Sequence, residues 1–160
     1  FIDHDDDVDL SFYVEGNSLD DVIKSYEHLV SELIIRKNKV SLNAVGQFSV
    51  QLSDTPDLPA IDVFLSWSTA QLDFHTYFGV SGKLSQPLSL QRAVLEGARL
   101  FVPVPANEIL EMTYGPQWRT PDPAFQWKPG PHVASTMQKL EKAGAEAQCR
   151  LKALIRGEEL

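Results

Sequence analysis

Three aspartates carry the chemistry this sequence can do. Asp7 and Asp9 stand two residues apart in Asp7-Val8-Asp9-Leu10-Ser11-Phe12-Tyr13-Val14, and Asp62 stands inside Ile61-Asp62-Val63-Phe64-Leu65-Ser66-Trp67. Oxygen ligands at that density select hard cations, Mg2+ or Mn2+. Such ions can bridge a nucleotide's phosphates, offset developing charge and activate an acceptor oxygen. Both acidic features also have a plainer reading. Asp3, Asp5, Asp6, Asp7 and Asp9 supply five of the chain's 22 acidic residues, and a dense run of like charge is ordinarily a solvated tail. An aspartate within an apolar strand can simply be hydrogen-bonded to a neighbouring loop or paired with a base, since an unpaired buried carboxylate is costly.

What sets the acidic run apart is the pattern that follows it. From Asp7 the residues alternate, with Val8, Leu10, Phe12 and Val14 on one side and Asp7, Asp9, Ser11 and Tyr13 on the other. Period two predicts a half-buried strand, so Asp7 and Asp9 project from one face while Asp6 points to the opposite one. Gly16-Asn17 breaks the strand. Ser18 is then a helix N-cap, with Asp20 and Asp21 in the first turn where the helix dipole favours anions. Leu19, Val22, Ile23, Tyr26, Leu29, Val30, Leu33 and Ile34 form one apolar stripe, and Arg36, Lys37 and Lys39 close the helix. His28 in this helix reads as a surface or packing residue.

Two short strands follow, Val40 to Val45 and Phe48 to Leu52, turning at Gly46. Ile61 to Trp67 is the most apolar stretch and predicts a central strand buried on both faces. In that setting Asp62 reaches the same cation as Asp7 and Asp9. Leu72 to Val80 predicts another strand, with His75 inside it, and Leu88 to Ala98 a short helix. Phe101 to Pro105 is extended because each proline pushes its predecessor out of the helical region. Asn107 to Tyr114 is a short helix stopped by Gly115. Residues 116–131 form a loop with five prolines and two tryptophans, Trp118 and Trp127. A last helix runs over 135–156 from a capping-box-like Ser135-Thr136-Met137-Gln138. Its stripe of Met137, Leu140, Gly144, Ala147, Leu151 and Leu154 predicts a packing face, against the domain or against a second copy.

Composition narrows the class. The chain has 160 residues, 43% of them hydrophobic and 22% charged, which suits a single domain with a sizeable core spanning 1–160. A net charge of −8 opposes general nucleic-acid binding, which needs a basic face. One cysteine, Cys149, excludes an internal disulfide and a cysteine zinc cage. No apolar run is long enough for a membrane span. The Asp5-Asp7-Asp9 spacing fails as a calcium loop, because Leu10 and Gly16 stand where glycine and glutamate are required. Gly82-Lys83 fails as a phosphate loop, because Tyr77 stands where its first glycine belongs and no Ser or Thr follows. There is no H-E-x-x-H and no G-x-S-x-G. The expected fold class is α/β (α+β), a mixed β-sheet flanked by helices.

Phe1-Ile2-Asp3-His4-Asp5-Asp6-Asp7-Val8-Asp9-Leu10 resembles the "F-I-P-W-D-D-D-I-D-I" signature of LicD/fukutin-like phosphotransferases. Ile61-Asp62-Val63-Phe64 is similar to that family's later "I-D-I-F" strand. Phe101 to Pro105, with the short helix and Tyr114-Gly115, resembles its "v-P-x-n … Y-G" segment. The resemblance runs from Phe1 to about Pro121. It implies a nucleotidyltransferase-like fold and a metal-dependent enzyme with Asp7, Asp9 and Asp62 as metal ligands and catalytic groups, Mg2+ or Mn2+ being the cofactor. The implied reaction moves a phospho-alcohol, such as phosphocholine or ribitol phosphate, from a CDP-activated donor to a sugar hydroxyl of a capsule, cell-wall or other surface glycan. The family pattern begins earlier, with a helix and a Gly-Ser-like phosphate turn, and has Pro-Trp where this chain has Asp3-His4. The chain is therefore expected to be an N-terminally incomplete piece of a larger polypeptide. The alternative is a non-catalytic binding or scaffold domain of a glycan-synthesis protein that keeps the fold. The implied location is the cytoplasm, at the inner face of the membrane, for a bacterial protein and the Golgi lumen for a eukaryotic one. Arg119, Trp118 and Tyr114 sit where the short helix meets the proline-rich loop. Arg119 is expected to pair with a donor phosphate through its planar fork, and an aromatic to stack on the base. The competing reading has Trp118 filling the core and Arg119 pairing with a surface acid.

Overall fold

The computed structural model describes residues 8–158, apart from 17, 69–72, 77–80, 96, 127 and 129–130. Within them the chain is mixed α/β. In order come β1 (Val8–Glu15), α1 (Leu19–Ile35), β2 (Lys39–Ala44), β3 (Gln47–Gln51), β4 (Ile61–Ser68), β5 (Asp73–Thr76), β6 (Ser81–Lys83), β7 (Ser89–Leu95), β8 (Ala98–Val104), α2 (Ala106–Tyr114) and α3 (Pro131–Arg156).

β4 is the axis of a six-stranded sheet. β1 runs parallel to it along its whole length, Val8 opposite Ile61 through Glu15 opposite Ser68. β3 pairs antiparallel with Ile61–Phe64 and β5 with Ser66–Ser68, so these two share the other edge of β4. β2 extends the sheet beyond β3, and β6 extends it beyond β5. β7 and β8 form a separate two-stranded hairpin.

Alternation sorts β1 and β4 into two faces, because register partners across a ladder share a side. Val14, Val63, Leu65 and Trp67 are buried on one face, under α1 and α3. α1 contributes Val22, Ile23, Tyr26 and Val30, the stripe expected from its periodicity. Ser18 caps it, its Oγ accepting from Asp21 N at 3.2 Å and donating to Asp21 Oδ2 at 2.7 Å. α3 contributes Leu140, Ala147 and Leu151, all about 1% exposed or less. Gly144 lets α3 sit close, since a Cβ there would stand 2.4 Å from Val45 Cγ1 and 2.8 Å from Ile23 Cδ1. The terminal stripe therefore packs on the chain's own core. Between the helices, the Tyr26 hydroxyl donates to Gln148 Oε1 at 2.9 Å, and Arg150 makes a two-pronged bond to Glu27 at 2.6 and 2.8 Å.

Several expectations need correction. Leu88 to Ala98 is strand β7 and its turn, not a helix; Gly97, at φ +83°, makes the reversal. Of the predicted strand over 72–80, the described part, Asp73–Thr76, is strand β5, and the rest lies outside the described residues. α3 begins at Pro131 rather than Ser135, because proline's fixed φ suits a first helical position, so Ser135 to Gln138 lie within the helix and cap nothing. α1 ends at Ile35, Arg36 is its cap and Lys37 turns out of it at φ +64°, so none of the basic residues lies in its last turn. β4 is fully buried on one face only, and Asp62 on its other face is half-buried. Among the described residues no helix is long and apolar enough to cross a membrane.

Candidate functional site

Asp9 and Asp62 are direct register partners in the parallel β1–β4 ladder. They project from the face opposite α1 and α3, with about 4.8 Å between their strands. Asp9 is exposed and Asp62 half-buried. On the far side of β4, Ser49 is the antiparallel partner of Asp62, and its hydroxyl donates to Asp62 Oδ1 at 2.5 Å. Among the described residues no basic side chain forms an ion pair with Asp62. The row Ser49–Asp62–Asp9 thus crosses three strands on one face, two carboxylates side by side and a neutral hydroxyl anchoring one of them. Asp7, the third expected ligand, and Asp6, expected to point away, lie outside the described residues.

Adjacent like charges at a half-wet surface are suited to a divalent ion. Mg2+ is commonly held by one or two carboxylates and completes its octahedron with water and substrate phosphate oxygens. Asp9 and Asp62 fit that role as a pair. Among the described residues no group of three or more His, Cys, Asp or Glu side chains is gathered as a closed metal cage.

The same face continues past the acids. Ser11 and Tyr13 follow Asp9 on β1, and Phe64, Ser66 and Ser68 follow Asp62 on β4. The Ser11 and Ser66 hydroxyls are hydrogen-bonded to one another, as are those of Tyr13 and Ser68. The β7–β8 hairpin and α2 stand over this stretch. Together they enclose an open cavity of about 380 Å3, bounded by Ser11, Tyr13 and Ser66 on the sheet and by Leu90, Phe101 and Pro103 on the hairpin. Sequence reasoning missed Ser49, Ser11 and Ser66. The only signal for the last two was their parity with Asp9 and Asp62 along their own strands.

Tyr114, Trp118 and Arg119 gather elsewhere, at the end of α2 and the loop after it. Tyr114 and Trp118 line a cavity of about 670 Å3 with Phe125 and Asp122, and the Tyr114 and Phe125 rings lie 5.5 Å apart. The Arg119 guanidinium stacks on Trp118, 4.1 Å from the ring centre, and donates to Asn107 Oδ1 at 3.1 Å. Among the described residues its partners are therefore an indole and an amide rather than a surface acid, and Trp118 is only partly buried.

A third group lies at the other end of the parallel strands, on the helix-covered side. His75 packs against Trp67 with ring centres 5.1 Å apart, and its Nδ1 shares a 2.8 Å hydrogen bond with Ser81 Oγ. Burial holds the His75 pKa below the ordinary histidine value; nearby Asp73 opposes this and Lys139 reinforces it. Cys149 is exposed on α3 and His28 is exposed on α1.

Compared with known proteins, the chain matches no family model, no curated protein and no solved structure.

Proposed function

We propose that this chain is the core of a metal-dependent phosphotransferase with a nucleotidyltransferase-like fold, moving a phospho-alcohol from a CDP-activated donor to a sugar hydroxyl of a surface glycan. The observation that carries the reading is the register of Asp9 opposite Asp62 on one exposed sheet face, with Ser49 holding Asp62. The resemblance of the acidic signature and the Ile61-Asp62-Val63-Phe64 strand to the LicD/fukutin-like pattern supports it.

Asp9 and Asp62 are the residues that would hold Mg2+ or Mn2+, joined by Asp7 in the family pattern. When bound, the cation supplies charge neutralisation for the donor phosphates. Ser49 limits the rotation of the Asp62 carboxylate, whose second oxygen stays open toward the cation and the acceptor hydroxyl. Asp62 accepts the proton of the acceptor hydroxyl. The acceptor oxygen forms a bond to the phosphorus that carries the alcohol, the bond from that phosphorus to the bridging oxygen breaks, and cytidine monophosphate leaves with the electron pair. Asp62 then returns the proton to solvent. Arg119 pairs with a donor phosphate in this scheme, and Trp118 or Tyr114 stacks on the base.

Nucleotide binding in the presence and absence of Mg2+ tests the reading. Calorimetry with a CDP-alcohol should show binding that EDTA abolishes and that Asp9→Asn removes. Asp62→Asn should abolish transfer while leaving the circular dichroism spectrum unchanged. Nucleotide binding indifferent to divalent ions, or absent from the folded chain, would favour the non-catalytic scaffold reading instead.

A further inference from the structure

The cavity beside Asp9 and Asp62 has two unlike walls. Its floor, on β1 and β4, carries the hydroxyls of Ser11 and Tyr13 with buried Ser66 beneath them, and among the described lining residues there is no charged side chain and no side-chain amide. Its roof is apolar, from Leu90, Phe101 and Pro103 on one face of the β7–β8 hairpin. Leu90 is the register partner of Pro103, and Phe101 stands two residues before Pro103 on the same strand, so the three share a side. Phe101 and Leu90 remain 64% and 47% exposed, side by side on the hairpin, and it is contiguous exposed apolar groups, not single ones, that mark ligand or partner sites.

A hydroxylic floor opposed to an aromatic and aliphatic roof complements one kind of ligand. A sugar ring presents hydroxyl groups around its edge and a patch of C–H groups on its face. The edge can exchange hydrogen bonds with serine and tyrosine hydroxyls, each both donor and acceptor. The face can pack on Phe101 and Pro103. A pyrimidine base fits less well, because its edge needs amide-type or charged partners in fixed positions. The volume, about 380 Å3, lies toward the lower end for small-molecule sites and suits one or two rings.

The position matches as well. Ser11 follows Asp9 on the same face of β1, about 6.6 Å further along the strand. A ring seated on Ser11 and Tyr13 therefore spans the distance to the carboxylates. We infer that the cavity between the β1–β4 sheet face and the β7–β8 hairpin seats the sugar ring of the acceptor, with Ser11 and Tyr13 binding its hydroxyls, buried Ser66 orienting the Ser11 hydroxyl from beneath, and Phe101 packing on its face. The inference rests on the phosphotransfer reading for the name "acceptor", but the cavity's chemistry stands without it.

The test is ligand titration by two-dimensional NMR in EDTA, which removes any dependence on the metal reading. The probes are a panel of methyl hexopyranosides, ribitol and cytidine. A methyl hexopyranoside should bind in the millimolar range, shifting the amides of Ser11, Tyr13, Ser66 and residues 89–104. Phe101→Ala, at an exposed site that the fold does not need, should weaken it at least tenfold, and Ser11→Ala, also at an exposed position, should weaken it severalfold. Absence of binding across the glycoside panel, shifts confined to the Trp118 loop, or cytidine occupying this cavity in preference to glycosides would each overturn the inference. The phosphotransfer reading fails on a different result, the loss of Mg2+-dependent nucleotide binding, so the two can be told apart.

Discussion

Asp9 lies directly across from Asp62 in a parallel ladder, and Ser49 lies directly across from Asp62 on the other side. The two carboxylates belong to strands separated by more than fifty residues, yet the register leaves no offset between them. A slip of one residue would put one of them on the helix-covered face.

Divalent ions should stabilise the chain through this pair. Mg2+ at a hundred times its Kd would add about 2.7 kcal/mol, read as a rise of several degrees in Tm. Asp9→Asn or Asp62→Asn should cancel most of that rise. Equal Tm values with and without Mg2+ would count against a metal site at this row.

Gly144 gives a sharper test of the α1–α3 packing. Alanine is the better helix former by about 1 kcal/mol, so Gly144→Ala would stabilise an open site. Here its Cβ meets Val45 at 2.4 Å, and overpacking of that kind costs about 1–3 kcal/mol. The net expectation is a loss of up to about 2 kcal/mol in urea unfolding, in place of the gain an open site would show. Ala143→Gly, at the exposed neighbouring position, should cost about 1 kcal/mol from propensity alone.

His75 predicts a pH dependence. Its folded pKa is depressed, chiefly by burial, so the unfolded chain takes up a proton first as pH falls. The associated stability is fully present above the ordinary histidine value of about 6.5 and declines as pH drops from there to the folded pKa. His75 ring resonances should titrate with a midpoint below 6.5. His75→Gln should flatten the stability profile in that window, and a midpoint at or above 6.5 would show that the ring is not held neutral.

Arg119→Lys separates charge from shape. Lysine keeps the positive charge but loses the planar fork and the stack on Trp118. If Arg119 grips a donor phosphate, affinity for a CDP-alcohol should fall about tenfold, with Tm nearly unchanged because the side chain is exposed. Unaltered affinity would assign Arg119 to supporting the loop through Trp118 and Asn107.

Local periodicity determined a good deal. The alternation from Val8 to Val14, the Ser18 cap with its apolar stripe, and the Leu140-Gly144-Ala147-Leu151 spacing were legible because a strand or helix face is written in nearby residues. Leu88 to Ala98 was misread for the same reason. Gln91, Arg92 and Ala93 suit a helix, and a hairpin with large apolar residues exposed leaves no clean two-residue alternation of polarity. The sequence also could not say that β1 would skip β2 and β3 to lie parallel to β4, or that β3 would bring Ser49 against Asp62. Pairing between distant strands depends on how α1 and α3 cover one face and on the register that buries Val14, Leu65 and Trp67 together. That global packing placed Asp9 beside Asp62 and set Ser11 and Ser66 under the hairpin. A side chain's parity along its own strand says which face it shares, but only the fold says with whom.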